Sequence, residues 1–184
     1  MTYYAACLDL RGRRCLVVGG GSVGLEKARG LLEAGAEVTV LAPEIVPELA
    51  ALPVTRIEAE YAPGDVAPYW LVVAATPHRS VNRQVHADAE TLARLCNVAD
   101  DSELCSFILP AVHREGPILV AVSTSGASPA LAQHLRAEIA RLVTRRHGEL
   151  AEELQALRPW AKRHLPTYEA RKEFFRRRVA EALR

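Results

Sequence analysis

The sequence predicts an α/β fold, a parallel sheet wrapped by helices, on three observations. Short apolar runs of the length of buried strands recur at Cys15-Leu16-Val17-Val18, Glu37-Val38-Thr39-Val40-Leu41, Trp70-Leu71-Val72-Val73-Ala74-Ala75 and Leu95-Cys96-Asn97-Val98. Stretches with helical spacing separate them, and the connections are short, as parallel β-α-β units require. With 49% apolar residues in 184, the chain can bury the core of one full domain and a smaller appendage.

The elements follow in order. After the first strand, Val23, Ala28, Leu31, Leu32 and Ala34 share one helical face while Glu26, Lys27, Arg29 and Glu33 point mostly outward. Gly35 is placed to end that helix, and Pro43 stops the second strand. Residues 54–59 alternate and predict a third strand, and a helix is predicted over about 80–94. The pattern changes after Asp101. Residues 107–112 and 118–122 flank a turn at Arg114-Glu115-Gly116-Pro117, which predicts a β-hairpin. Pro129 stands at the first turn of a further helix with Ser128 as its N-cap, and Gly148 offers a stop near residue 147. The rest is helical in pattern, with breaks expected at Pro159 and Pro166.

Net charge is +1, but residues 141–184 carry +6 and residues 1–140 carry −5. A basic tail suits a nucleic acid or a substrate rich in carboxylates, or is simply a solvated helical face. Aromatics are only 5%, and no stacking platform or reading motif supports nucleic-acid binding. No apolar stretch approaches the roughly 20 residues that cross a bilayer. The start, Met1-Thr2-Tyr3-Tyr4-Ala5-Ala6-Cys7, lacks the basic beginning of a signal peptide and soon meets Asp9, Arg11, Arg13 and Arg14, so a cytoplasmic protein is expected. Cys7, Cys15, Cys96 and Cys105 form no C-x-x-C pair and no zinc-like cluster. They are expected to be thiols, without a metal.

Gly19-Gly20-Gly21-Ser22-Val23-Gly24 satisfies G-x-G-x-x-G between a predicted strand and a predicted helix. Gly19 permits the tight turn, Gly21 lets the backbone approach a pyrophosphate, and Gly24 lets helix and strand pack closely. The amides of Ser22 and Val23 open the helix, where free N–H groups favour an anion. A Rossmann domain binding NAD is therefore expected. The acid that usually ends the second strand arrives late here, in Pro43-Glu44, and no arginine stands ready for a 2′-phosphate. Glu44 bonds the ribose, or lines the adenosine pocket with Pro43, or is an ordinary surface glutamate. Thr76 and Asn97, at two further strand ends, are placed to approach the cofactor or to serve as ordinary loop residues. His113 and His147 are weak candidates for a functional role.

Three segments together resemble the dehydrogenase/ferrochelatase module of the sirohaem synthase family, which also occurs as a free precorrin-2 dehydrogenase. They are Val17-Val18-Gly19-Gly20-Gly21-Ser22-Val23-Gly24-Leu25-Glu26-Lys27-Ala28, Cys96-Asn97-Val98-Ala99-Asp100-Asp101 and Val122-Ser123-Thr124-Ser125-Gly126-Ala127-Ser128-Pro129-Ala130, with Phe107 and Pro110-Ala111 between. The resemblance covers roughly residues 5–146. It implies a Rossmann domain (1–112), a small hairpin-and-helix dimerisation region (113–147) and a C-terminal helical piece (148–184). It also implies a homodimer in which NAD accepts a hydride from precorrin-2, giving sirohydrochlorin for sirohaem. No methyltransferase domain follows in this chain, so the module is expected to stand alone. Some relatives insert Fe²⁺ as well.

By this resemblance Asp100 is the general base, at the carboxyl edge of the sheet where Rossmann sites form. Read from the residues alone, it is as well suited to capping a turn. Ser123, Thr124, Ser125 and Ser128 put hydroxyls and amides ahead of a helix N-terminus, which suits a substrate carboxylate. Ser128 also matches a phosphorylatable serine of fused relatives, besides its N-capping role. The competing reading is a non-catalytic NAD-sensing regulatory module, which needs the glycine motif but neither the Asp100 nor the Ser123 segment. A conventional alcohol dehydrogenase is disfavoured, since Tyr3, Tyr4, Tyr61, Tyr69 and Tyr168 supply no Tyr-x-x-x-Lys pair.

Overall fold

The computed structural model describes residues 3–184; Met1 and Thr2, which belong to the N-terminal stretch and the 1–112 domain read above, lie outside the described residues. The chain divides into two compact units, Met1–Leu109 and Pro110–Arg184.

In the first unit, β1 (Arg14–Val18), β2 (Glu37–Leu41), β3 (Thr55–Ile57), β4 (Leu71–Ala74) and β5 (Leu95–Val98) form one sheet in the order β3-β2-β1-β4-β5. Every pairing is parallel, and the helices α1 (Ser22–Glu33), α2 (Pro47–Ala50) and α3 (Arg79–Thr91) complete the Rossmann arrangement. Successive strand residues point to opposite faces, so the apolar runs split between two cores. Cys15, Val17, Val38, Val40, Leu71 and Val73 pack with Ala28 and Leu31 of α1 and Leu49 of α2. Leu16, Val18, Leu41, Val72, Ala74, Cys96 and Val98 pack with Val85 and Ala89 of α3. Full burial of one such valine contributes about 1.5–3 kcal/mol.

Several expectations are corrected. β3 is shorter than 54–59 and exposed throughout, because an edge strand has one neighbour and one protected side at most. The buried face of α1 centres on Gly24, Ala28 and Leu31, while Val23 is exposed; the helix presses its glycine, not its valine, against the strand. α3 stops at Thr91, short of residue 94, where Ala93 takes φ +50° and Arg94 N–H returns to the Ala89 carbonyl. The short α2 and a 3₁₀ turn at Ser102–Leu104 are too brief to show a period in sequence.

In the second unit β6 (Ala111–Glu115) and β7 (Ile118–Val122) form an antiparallel hairpin. Glu115 pairs with Ile118, leaving Gly116-Pro117 as a two-residue loop. Gly116 has φ +54°, as the first position of a II′ turn requires, and proline fits the second. The first strand thus begins after Pro110 rather than at 107. Phe107 belongs to the first unit, packed against its core.

α4 (Pro129–Leu142) is capped by Ser128, whose hydroxyl accepts from Leu131 N–H at 3.2 Å. The stop expected at Gly148 is also corrected. α4 ends at Leu142, and α5 (Arg145–His164) starts after Thr144 and runs through both Gly148 and Pro159. The break is marked by the Val143 carbonyl, which lies 2.8 Å from His113 Nε2 of β6. His147 joins Thr144 in the capping box of α5, so both histidines serve structure here. Gly148 permits close approach, since a Cβ there would lie 3.0 Å from the Glu115 carbonyl oxygen. Past Pro159, which removes one helical N–H, the helix is sustained by packing: Ala161 is buried and Trp160 stacks on His164 and meets Phe174. Pro166 does separate α5 from α6 (Tyr168–Ala182), where Thr167 caps by accepting from Ala170 N–H.

No helix among the described residues is long and apolar enough to cross a membrane. The four cysteines are free thiols. Burial pushes the Cys15 thiol from its ordinary value of 9.0 up to about 11 and Cys96 up to about 12. A raised folded-state value means that their contribution to stability is complete below pH 9 and is lost as pH rises toward 11–12. The urea midpoint is therefore expected to fall between pH 9 and 11, and the fall to shrink in Cys15→Val. Separately, His113→Ala should lower the unfolding free energy by about 1 kcal/mol, the worth of one hydrogen bond, read from urea titrations at neutral pH.

Candidate functional site

The turn after β1 is built by glycines that no other residue could replace without moving the backbone. Gly19 has φ +124°, and a Cβ there would lie 2.4 Å from the Ala75 carbonyl oxygen. A Cβ on Gly20 would lie 2.0 Å from the Glu44 carbonyl oxygen, and one on Gly24 would lie 2.1 Å from that of Gly19. Gly20 O accepts from Val46 N–H at 2.9 Å, and Gly19 N–H donates to Leu41 O at 2.9 Å. The turn is thereby clamped to the ends of β2 and β4. Gly20 occupies a free position of the motif, and only the run of three glycines hinted that it mattered.

Gly21 is different. It is exposed, and a Cβ on it would meet nothing within 4 Å. It is the N-cap of α1 without a side-chain cap, and the first turn carries no acid. The first-turn amides, those of Ser22, Val23 and Gly24, have no partner within the helix. An open backbone surface with unpaired donors at the positive end of a helix fits a pyrophosphate. The residues present therefore fit a nicotinamide dinucleotide, with Pro43 and Glu44 exposed just beyond β2 and Glu44's backbone against the turn.

At the end of β4, Thr76 is half-buried beside Gly19. Asn82 of α3, absent from the sequence-based candidates, holds it. Asn82 Oδ1 accepts from Thr76 Oγ1 at 2.8 Å and from Thr76 N–H at 3.3 Å, and Asn82 Nδ2 donates to Thr76 O at 3.0 Å. At the end of β5, Asn97 is buried and its Nδ2 donates to Phe107 O at 3.0 Å. Its amide nitrogen is thus committed to the 105–107 segment. Cys105 Sγ accepts from Val98 N–H at 3.2 Å and lies 3.2 Å from Asp101 O. Burial raises this thiol too, so it acts as a neutral brace for the β5 loop.

Asp100 sits on that loop, exposed, in the left-handed region at φ +62°. Its neighbours hold the backbone, Ala99 N–H donating to Ala74 O and Asp101 N–H to Val98 O. Its carboxylate accepts no hydrogen bond from the described residues of its own unit, so it does not cap a turn there. The carboxyl ends of β1, β4 and β5 thus bring Gly19, Thr76 and Asp100 to one edge of the sheet. Aspartate is one of the few non-glycine residues that takes this conformation readily.

The serine loop belongs to the second unit. Ser123 Oγ accepts from Ser125 N–H at 3.1 Å. Thr124 Oγ1 accepts from Ser128 N–H at 3.0 Å and donates to Ser128 O at 3.1 Å. Ser125, at φ +53° and exposed, leaves its hydroxyl unengaged within that unit. Of the four hydroxyls, three organise the loop and one is presented.

Comparison with known proteins gives a consistent picture. A family model described as "Putative NAD(P)-binding" matches residues 6–111, and one described as "Sirohaem biosynthesis protein central" matches residues 115–142. A siroheme synthase of Chromobacterium violaceum is 44% identical over 180 residues, covering 95% of this chain and 38% of that protein. A siroheme synthase of Nitrosococcus oceani is 38% identical, covering 95% of this chain and 38% of that protein. The chain therefore spans about two-fifths of the length of these relatives. Among solved structures, SirC, a precorrin-2 dehydrogenase, superimposes with a TM-score of 0.81 at 25% identity, covering 95% of this chain and 88% of that one.

A pair of variants separates packing from ligand contact. Gly20→Ala forces the Glu44 backbone away and is expected to lower the melting temperature as well as abolish dinucleotide binding. Gly21→Ala should melt with the parent yet bind dinucleotide at least about tenfold more weakly, since its methyl group meets only the ligand. Thermal melts beside titration calorimetry check both.

Proposed function

The chain belongs to the sirohaem synthase family, to its NAD(P)-binding and central portion, and on that footing we propose that it oxidises precorrin-2 to sirohydrochlorin with NAD. The observation that carries the reading is the likeness to SirC over nearly the whole chain, together with an exposed, left-handed Asp100 at the sheet edge that bears the glycine cradle. The reaction takes a hydride from a carbon of the macrocycle and a proton from the ring system. A bound nicotinamide would supply the hydride acceptor.

The chain's own residues do the rest. Gly21, Ser22, Val23 and Gly24 hold the pyrophosphate on backbone amides, over the tight turn that Gly19 permits. Glu44 offers a carboxylate to the adenosine ribose hydroxyls beside Pro43, and its charge would repel a 2′-phosphate, which favours NAD over NADP. Thr76 and Asn97 shape the floor at the ends of β4 and β5. Asp100 takes the proton; its unencumbered carboxylate leaves both oxygens free to accept. Ser125, with the loop that Ser123, Thr124 and Ser128 organise, receives a substrate carboxylate. Arginines of the basic stretch 141–184 provide further carboxylate partners.

A second copy of the chain completes the assembly in this reading. The hairpin has only two strands, and Leu119, Leu131 and Leu135 stay exposed on β7 and α4, apolar side chains that a partner copy would cover. A homodimer working in the cytoplasm belongs to the same proposal.

The test is anaerobic incubation with freshly generated precorrin-2 and NAD⁺, following NADH alongside the tetrapyrrole spectrum. Asp100→Asn is expected to slow turnover by about 10²–10⁴-fold while leaving the NAD⁺ dissociation constant within twofold of the parent. A folded protein that binds NAD⁺ and leaves precorrin-2 unchanged would overturn the reading in favour of a sensing module.

A further inference from the structure

Asn82 lies on the fourth residue of α3, is more than nine-tenths buried, and directs its whole carboxamide at one residue. Its Oδ1 accepts from Thr76 N–H and from the Thr76 hydroxyl, and its Nδ2 donates to the Thr76 carbonyl. This is the pairing that a neighbouring strand would offer to one residue of β4. The side chain therefore extends the sheet's hydrogen bonding one step beyond the last strand residue, Ala74, at the point where the chain must turn outward. Thr76 Oγ1 in turn accepts from His78 N–H at 3.1 Å, and His78 O accepts from Asn82 N–H at 3.1 Å. The three residues close a small ring that fixes the turn from β4 into α3.

What that turn faces gives the ring its meaning. A Cβ on Gly19 would lie 2.4 Å from Ala75 O and 3.1 Å from Thr76 N, so the 75–76 peptide is the immediate wall of the phosphate turn. The sheet order reverses between β1 and β4, and a dinucleotide lies across the crevice at that reversal. The half on the β1–β2 side is served by the glycines and by the Pro43-Glu44 segment. The other half falls on the β4 side, where Thr76 and His78 form the wall.

We infer that Asn82 is a positioning residue which, acting through Thr76, sets the affinity of the chain for the nicotinamide half of its dinucleotide and not for the adenosine half. This rests on the reading of the site as a dinucleotide site. Asn82 itself touches no ligand; it holds the wall that does. A buried asparagine whose only task was to stabilise α3 would influence both halves alike, through the population of folded protein. A positioning role separates them.

The experiment compares NAD⁺ with ADP-ribose, which lacks the nicotinamide ring, by titration calorimetry on the parent chain and two variants. Asn82→Ala removes all three bonds. Asn82→Asp keeps the size and the acceptor but sets an oxygen against the Thr76 carbonyl, so it repels where asparagine attracts; it serves should the alanine variant fail to fold. In either variant the dissociation constant for NAD⁺ is expected to rise about tenfold, with that for ADP-ribose within twofold of the parent. In turnover, KM for NAD⁺ should rise with little change in kcat. Equal weakening of both ligands would overturn the inference, as would unchanged affinity for both. Should the parent bind ADP-ribose as tightly as NAD⁺, the inference fails while dinucleotide binding stands. Should the parent bind neither, the reading of the site itself fails.

Discussion

The first unit depends on one steric constraint: three backbone segments meet at the turn after β1 more closely than any side chain allows. The Ala75 peptide, the Glu44 peptide and the Gly19 carbonyl each occupy the space of a missing Cβ, at Gly19, Gly20 and Gly24 respectively. These contacts draw the ends of β2 and β4 against the start of α1. They also explain why α1 buries Gly24 and leaves Val23 in solvent. Only Gly21 is spared, and the place where its side chain would be is the place left open.

Around that point the loops are fixed by internal hydrogen bonding that has little to do with regular structure. Asn82 locks the β4 turn, and Cys105 and Asn97 lock the β5 turn. Each is a polar group in a largely apolar setting whose partners are satisfied within the same loop, so the desolvation cost is met where the group sits. Rigid walls of this kind suit a site whose reacting atoms must be held to a fraction of an ångström. Asp100 stands in contrast, its carboxylate without a partner among the described residues of its own unit and its backbone held in place.

The second unit is organised by a different compromise. α5 approaches β6 closely enough that position 148 favours glycine, and the helix accepts the lower propensity of that residue, roughly 1 kcal/mol against alanine, for the sake of the contact. His113 reaches the carbonyl at the break between α4 and α5, satisfying a group that a continuous helix would have used. The position of the break is therefore a property of the hairpin as much as of the helices.

The sequence alone determined the parallel sheet, the glycine cradle and the family resemblance. Strand runs, the G-x-G-x-x-G spacing and the Ser128-Pro129 cap are local patterns, and local patterns are written in neighbouring residues. The tertiary structure alone decided that Gly20 is as indispensable as Gly19, that Asn82 belongs to the site's framework, and that Gly148 and Pro159 lie inside a helix instead of ending one. It also decided that Asn97 turns its amide nitrogen to Phe107, and that among the serine-loop hydroxyls Ser125 alone is presented within its unit. Each of these rests on a contact between segments distant in the chain or on the choice of one hydrogen-bond partner among several. Glycine and proline mark a break where nothing opposes it; where another backbone presses close, the same residues mark an approach, and only the folded chain shows which.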